Sequence, residues 1–288
     1  MKPSVFIYGA GRVGLAVASL ARVRGVEVRG LWNSRPLRPE RAALAESLPL
    51  SIGEDPPAGE ADLWLVAVPD DAIVPLSERL AETSGAEPRA VAHTAGAHPA
   101  SLLEPLVARG IPSGSWHPAM TFRGADDDSA ALARATIALE GAPMALEVLG
   151  AFTRALGLDP VVLAADRKPH YHAALVIASN GRMALDAAAA DLLGETGLDA
   201  EAARSLLAPL VQRTEDNLRA LRPRDALTGP VVRGDARTVA ADLEALRDRP
   251  LLHRLYRAIG EVALELVPSE VRGPGHAEVA DRIRTMLR

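Results

Sequence analysis

The chain has 288 residues, long for one domain when an ordinary domain takes about 100–200, so two domains are expected. Hydrophobic residues make up 48% and charged residues 24%, the balance of a folded chain rather than a disordered one. With 32 basic and 37 acidic side chains the formal charge is −5, which offers no cationic surplus for nucleic acid or anionic lipid; the lack of cysteine removes disulfides, thiolate nucleophiles and cysteine-held metals.

Met1–Tyr8 carries one charge and leads straight into a strand, without the apolar block and cleavage site of a secretory leader, and a cytoplasmic location is expected. Strands are predicted at Ser4–Tyr8, Val26–Leu31, Leu63–Val68, Ala90–His93, Ser113–Trp116, Thr136–Leu139 and Pro160–Leu163. Runs such as Leu63–Val68 are apolar throughout, as strands covered on both faces are, and the helical stretches between them supply right-handed crossovers. A doubly wound, mostly parallel α/β sheet is therefore expected over residues 1–164. One of its helices is Ala72–Leu80, with Asp70 and Asp71 read as its caps.

From Ala165 onward the pattern is helical. Helices are predicted at His170–Leu193, from an N-cap at Asp199 to Leu221 with a kink at Pro209, at Ala236–Leu246, at Leu251–Val267 and near Glu278–Leu287. Residues 165–288 thus read as an all-helical second domain. Its Ala-rich stretch Ala173–Leu193 is broken by Asn180, Arg182, Asp186 and Asp191, so no membrane span is expected.

Gly9-Ala10-Gly11-Arg12-Val13-Gly14 lies between the first strand and the first helix. The first glycine permits a tight turn, the second lets backbone approach a pyrophosphate, and the third lets helix pack on strand, with Arg12 and Val13 opening a helix whose amides face the anion. An NAD site places Asp or Glu about 20 residues further on. Here Asn33-Ser34-Arg35 stands instead, where Ser34 can donate one hydrogen bond and Arg35 two to a 2′-phosphate, favouring NADP(H); the alternative is that Arg35, ahead of Pro36, is solvated surface. Val68 and Pro69 end a small-residue loop suited to lie against the dinucleotide.

These segments, with His93-Thr94-Ala95-Gly96, Trp116-His117-Pro118, His170-Tyr171-His172-Ala173-Ala174 leading to Ser179-Asn180, and Leu227–Asp235, carry a resemblance over essentially the whole chain. It resembles bacterial Rossmann-like proteins with a C-terminal helical domain of unknown function, relatives of pyrroline-5-carboxylate reductase, F420-dependent NADP oxidoreductases and the 6-phosphogluconate dehydrogenase group. The resemblance implies NADP-type dinucleotide binding, a homodimer formed through the helical domain, and a small substrate held in the cleft between domains. A likeness to an alternative class of ketopantoate reductase makes a 2-oxo acid one candidate.

Hydride transfer is cofactor chemistry, so the chain has to orient the acceptor and handle one proton. His117 and His172 are the candidate proton donors; the alternatives are a strand-end imidazole bonded to backbone and a helix-start residue facing a neighbouring subunit. His172 falls on one face of a continuous helix with Ser179 and Asn180, about 11–12 Å away along its axis, where Asn180 could hold a carbonyl or imine and Ser179 could touch substrate. His93 and Thr94 are expected to line the nicotinamide pocket, and His170, His253 and His276 to be surface or interface residues. In the 6-phosphogluconate dehydrogenase group a lysine stands four residues before the helix asparagine; here that position is Val176, and Lys168 would have to reach in from the linker. Thr228 begins a turn and is expected to contact substrate, and Arg233 either clamps a substrate carboxylate or pairs with Asp235 or another subunit. No metal is expected. The reading is an NADP(H)-dependent reductase of a small carboxylate-bearing ketone or imine, with a non-catalytic dinucleotide-binding sensor as the alternative.

Overall fold

The chain alternates strand and helix up to residue 162, and the computed structural model describes residues 2–124, 127–267 and 274–287, of which 274–279 by backbone only. The side chain of His276 thus lies outside the described residues. In order come β1 (Val5–Tyr8), α1 (Arg12–Val23), β2 (Val28–Asn33), α2 (Pro39–Ala45), β3 (Leu50–Ile52), β4 (Leu63–Val66), α3 (Asp70–Glu82) and β5 (Ala90–His93). Then follow α4 (Glu104–Val107), β6 (Ser113–Pro118), α5 (Asp128–Leu132), β7 (Thr136–Gly141), α6 (Pro143–Ala155) and β8 (Asp159–Val162). The eight strands form one sheet in the order β3-β2-β1-β4-β5-β6-β7-β8, parallel except where β7 runs antiparallel to β6. Seven of them are the predicted ones; β3 is additional, and β2 runs two residues later than expected, which makes Asn33 its last residue.

The central strands β1 and β4 are covered on both faces, which is why they are apolar at every position. Val5 and Ile7 of β1, Leu63 and Leu65 of β4, and Ala90 and Ala92 of β5 pack with α1 and α6 in one core. The alternate residues Phe6, Tyr8, Trp64, Val66 and Val91 pack with Ile73, Leu76 and Leu80 of α3 in a second core. The loops carrying chemistry are thereby gathered at the carboxyl ends of β1, β4, β5 and β6, where ligands sit in such sheets.

After β8 come α7 (Lys168–Val176), a π-helical turn at Ile177–Gly181, α8 (Arg182–Glu195), α9 (Ala200–Ala220), α10 (Pro223–Ala226), α11 (Pro230–Arg233), α12 (Ala236–Ala245), α13 (Pro250–Leu266) and α14 (Pro274–Leu287). Asp199 caps α9 by accepting from the Ala202 amide at 2.8 Å. The predicted single helix His170–Leu193 is divided by the π turn, a correction that matters for the site. By contacts the chain separates into units 1–181 and 182–288, so 165–181, read from sequence with the helical part, packs with the sheet. Within the second unit, Val239 and Leu243 of α12, Leu264 of α13, and Ile283 and Leu287 of α14 form a small core, and Arg249 pairs with Asp191 and Glu195.

Candidate functional site

The glycine turn after β1 separates two kinds of demand. Gly9 has φ +108°, and a Cβ there would stand 2.4 Å from the Ala67 carbonyl oxygen; a Cβ on Gly14 would stand 1.9 Å from the Gly9 oxygen. The chain's own packing requires those two glycines. Gly11 is different, with φ −78° and nothing nearer to its missing Cβ than the Ala67 oxygen at 3.8 Å. It is the N-cap of α1, where the amides of Arg12, Val13 and Gly14 have no intrahelical acceptor and the positive end of the helix dipole emerges. The space left open there is an anion cradle. The Arg12 guanidinium turns aside to donate to the Phe122 oxygen at 3.2 Å, so Arg12 brings backbone to the cradle, and Val13 packs on the first core.

Asn33 is a strut. Its Oδ1 accepts from the Ala10 amide at 3.0 Å and its Nδ2 donates to the Arg35 oxygen at 2.6 Å, tying the glycine turn to the loop after β2. That loop presents Ser34 and Arg35 exposed, with no side-chain hydrogen bond or ion pair among the described residues. Val68 is half-buried beside Gly9, and exposed Pro69 occupies the N-cap position of α3. Asp70 and Asp71, expected as caps, lie inside the first turn of α3, where their charge suits the helix's positive end.

His93 is fully buried at the end of β5; its Nδ1 accepts from the Ala95 amide at 3.1 Å and its Nε2 lies 2.9 Å from the Pro99 oxygen. An acceptor role at Nδ1 puts the proton on Nε2, and burial pushes the pKa down to about 4. His93 is thus a neutral ring that shapes the loop 94–100, while the Thr94 amide is held by the Val66 oxygen at 3.1 Å.

His117, in β6, stands edge-on to Tyr171 of α7, with ring centroids 5.6 Å apart and Nδ1 2.8 Å from the phenolic oxygen. The loop turn at Gly96 lies against both candidate imidazoles: a Cβ there would be 2.7 Å from His117 Nε2 and 2.8 Å from His172 Cδ2. Burial first, then the charge of Lys168, lowers the His117 pKa to about 4, and burial raises that of Tyr171 to about 12. Both groups are neutral near pH 7. With the phenol donating to Nδ1, the ring proton sits on Nε2, which meets no other hydrogen-bond partner among the described residues.

Lys168, set aside in the sequence reading, does reach in. It opens α7, is 1% exposed, and donates from Nζ to the Ser115 hydroxyl at 2.5 Å and the Ala95 oxygen at 3.3 Å. Burial lowers its pKa while the charge of Glu140 opposes the shift; Glu140 Oε2 in turn accepts from the Ala100 amide at 2.7 Å. The signal was present in the spacing: Lys168, Tyr171 and His172 stand at i, i+3 and i+4, one face of a helix.

Ser179 and Asn180 fall in the π turn, with Ser179 Oγ 3.5 Å from Asn180 Oδ1 and the Asn180 side chain exposed. The turn adds a residue to the α ladder, so the uniform spacing assumed from His172 to Asn180 does not hold. Thr228 and Arg233, in the second unit, are both exposed; Thr228 precedes Gly229, whose φ is +104°, and Arg233 ends α11. Asp235 is engaged as the cap of α12, accepting from the Thr238 amide at 3.1 Å and hydroxyl at 2.8 Å, and makes no ion pair with Arg233.

Residues 1–118 match the model of a Rossmann-like domain, and residues 135–263 match the Domain of unknown function (DUF2520). No curated protein matches the sequence. Among solved structures, a protein from Thermotoga maritima is 22% identical, with 92% of this chain and 99% of that chain covered and a TM-score of 0.68. A pyrroline-5-carboxylate reductase from Coxiella burnetii is 18% identical, covering 93% of this chain and 100% of that one at a TM-score of 0.58. The reductive aminase from Aspergillus terreus, in complex with NADPH and ethyl levulinate, is 20% identical, with 99% of each chain covered and a TM-score of 0.61. The chain is a Rossmann-like domain followed by the helical domain of unknown function DUF2520.

Proposed function

We propose that the protein is an NADP(H)-dependent oxidoreductase that reduces a small carboxylate-bearing ketone or imine, 2-oxo acids such as ketopantoate included. The observation that carries the reading is the cradle at Gly11, a position that the chain's own packing leaves open at the N-terminus of α1. Exposed and unengaged, Ser34 and Arg35 have the chemistry for a 2′-phosphate, and Asn33 holds their loop in register with the cradle. The fold shared with the reductive aminase, whose structure contains NADPH, supports the same cofactor.

When bound, NADPH supplies the hydride. The chain's part is orientation and one proton. His117, neutral with its Nε2 at the Gly96 turn, serves as a hydrogen-bond donor that polarises a carbonyl or imine, as neutral imidazoles do when their pKa is held low. His172, against the same Gly96 turn, is the group assigned to give up the proton, and Thr94 borders that turn. Ser179 and Asn180 are assigned to substrate contact, and Arg233 retains a guanidinium suited to a carboxylate. A homodimer through the helical segment accompanies this reading.

The test is equilibrium binding of NADPH and NADH to the wild-type protein and to Arg35→Ala, followed by NADPH oxidation with a panel of 2-oxo acids and cyclic imines. NADPH binding weakened about 10- to 100-fold in the variant, or about 1.4–2.8 kcal/mol, together with turnover, is expected. Absence of dinucleotide binding would sink the proposal. Binding without turnover would favour the sensor, a second reading that rests on Val176 at the position of the group's lysine and on the burial of Lys168.

A further inference from the structure

Buried polar side chains converge on the loop 94–100 from three directions. His93 holds its two ends through the Ala95 amide and the Pro99 oxygen. Glu140, from β7, takes the Ala100 amide, and Lys168, from α7, takes the Ala95 oxygen while also bonding Ser115 of β6. Ala95 immediately precedes Gly96, the turn that His117 and His172 approach, and Ser115 lies two residues before His117 on the same face of β6. At 1% exposure Lys168 cannot itself touch a substrate.

We propose that Lys168 is a positioning residue of this site: its ammonium clamps the Gly96 turn to β6 and places a fixed positive charge behind His117. The clamp sets the separation between the turn and the two imidazoles. The charge adds to burial in keeping His117 unprotonated, so that its Nε2 acts as a neutral donor. The groups facing His117 are Lys168, His172 and Tyr171 from α7 and His93 from β5, while Glu140 and Ser115 face Lys168. Glu140 partly offsets the ammonium without approaching the imidazole. The role of Nε2 as donor to substrate rests on the reductase reading; the clamp and its charge do not.

The experiment follows the ring resonances of His117 by NMR titration in the wild-type protein, in Lys168→Met, and in Lys168→Met/Glu140→Gln, assigned with His117→Gln. The double variant removes both buried charges and covers the case in which the single one fails to fold. The expected result is a His117 midpoint that rises by at least one pH unit towards the ordinary value of about 6.5 in whichever variant folds. A midpoint within a few tenths of wild type in a folded variant would overturn the proposal. Kinetics provide the second reading: kcat for NADPH oxidation falls at least tenfold with the KM for NADPH unchanged, whereas an equal rise in that KM would also overturn it. If the wild-type protein oxidises no NADPH with any acceptor, the reductase reading fails while the titration still decides the role of Lys168.

Discussion

Gly11 and Gly14 sit three residues apart and answer to different needs. Alanine at Gly14 would drive its Cβ to within 1.9 Å of the Gly9 oxygen, whereas alanine at Gly11 meets nothing closer than 3.8 Å. Gly14→Ala is therefore expected to lower the melting temperature by several degrees, at a cost of about 1–3 kcal/mol. Gly11→Ala should melt as the wild type does while binding NADPH at least tenfold more weakly. Thermal denaturation beside NADPH titration checks both; equal melting loss in the two variants would leave the open cradle without a role. The two buried imidazoles make a second residue-scale prediction. His93 has a folded pKa of about 4 against about 6.5 unfolded, so above pH 6.5 it is neutral in both states and contributes no pH dependence. Below 6.5 the unfolded chain takes up a proton that the folded chain refuses, and stability falls until about pH 4, by about 3 kcal/mol for this group alone. His117 acts in the same direction. Melting between pH 6.5 and 5, above most carboxylate titration, should show this decline, and His93→Gln should flatten it by about half. Sequence alone showed which residues were histidines and where the strands ended. It did not show that both nitrogens of His93 are taken by backbone, because that depends on how the loop 94–100 folds back over the ring.

Helix α7 brings Lys168, Tyr171 and His172 to the strand ends as one face, and the π turn that follows changes the phase of everything after it. Tyr171→Phe removes one hydrogen bond from His117 Nδ1 and releases the tautomer. The expected cost is about 1 kcal/mol of stability and about a tenfold drop in kcat, with NADPH affinity intact, measured by melting and steady-state kinetics. An unaltered kcat would count against the neutral-donor role of His117. At this scale most of the architecture was legible: apolar runs marked seven strands, glycine and proline marked the loops, and Asp199 marked a helix start. The three-residue β3 was not, since Leu50-Ser51-Ile52 is too short and too exposed to show a pattern. Neither was the π turn, whose sequence Ile177-Ala178-Ser179-Asn180-Gly181 reads as ordinary helix. Lys168 was missed for a third reason: lysine is a surface residue by default, and only the combined presence of Glu140, Ser115 and the Ala95 carbonyl makes its burial tolerable.

In the second unit, Met183 and Leu185 of α8, Leu206, Leu210 and Leu218 of α9, and Ile259 and Val262 of α13 are between 39% and 62% exposed. A second copy of the chain is the occupant that the dimer reading assigns to these side chains. Leu206→Glu/Leu210→Glu should convert a dimer to a monomer in sedimentation at micromolar concentration, with NADPH binding to the first unit retained; a monomeric wild type would remove the dimer from the proposal. Among the described residues no helix is long and apolar enough to cross a membrane.

The strand order has a consequence for how the molecule comes into being. β1 lies between β2 and β4, so this strand, uncharged Val-Phe-Ile-Tyr, has one edge left unpaired until Leu63–Val66 has been made. Ser4 likewise awaits Asp62, whose carboxylate takes both its amide and its hydroxyl. Assembly of the nucleotide-facing half is thus tied to a distant contact rather than to local turns, which slows folding and leaves a sticky edge open in the nascent chain. A ribosome-bound fragment that stops short of β4 is expected to aggregate or recruit a chaperone, and one that extends well past it to become protease-resistant in its first half.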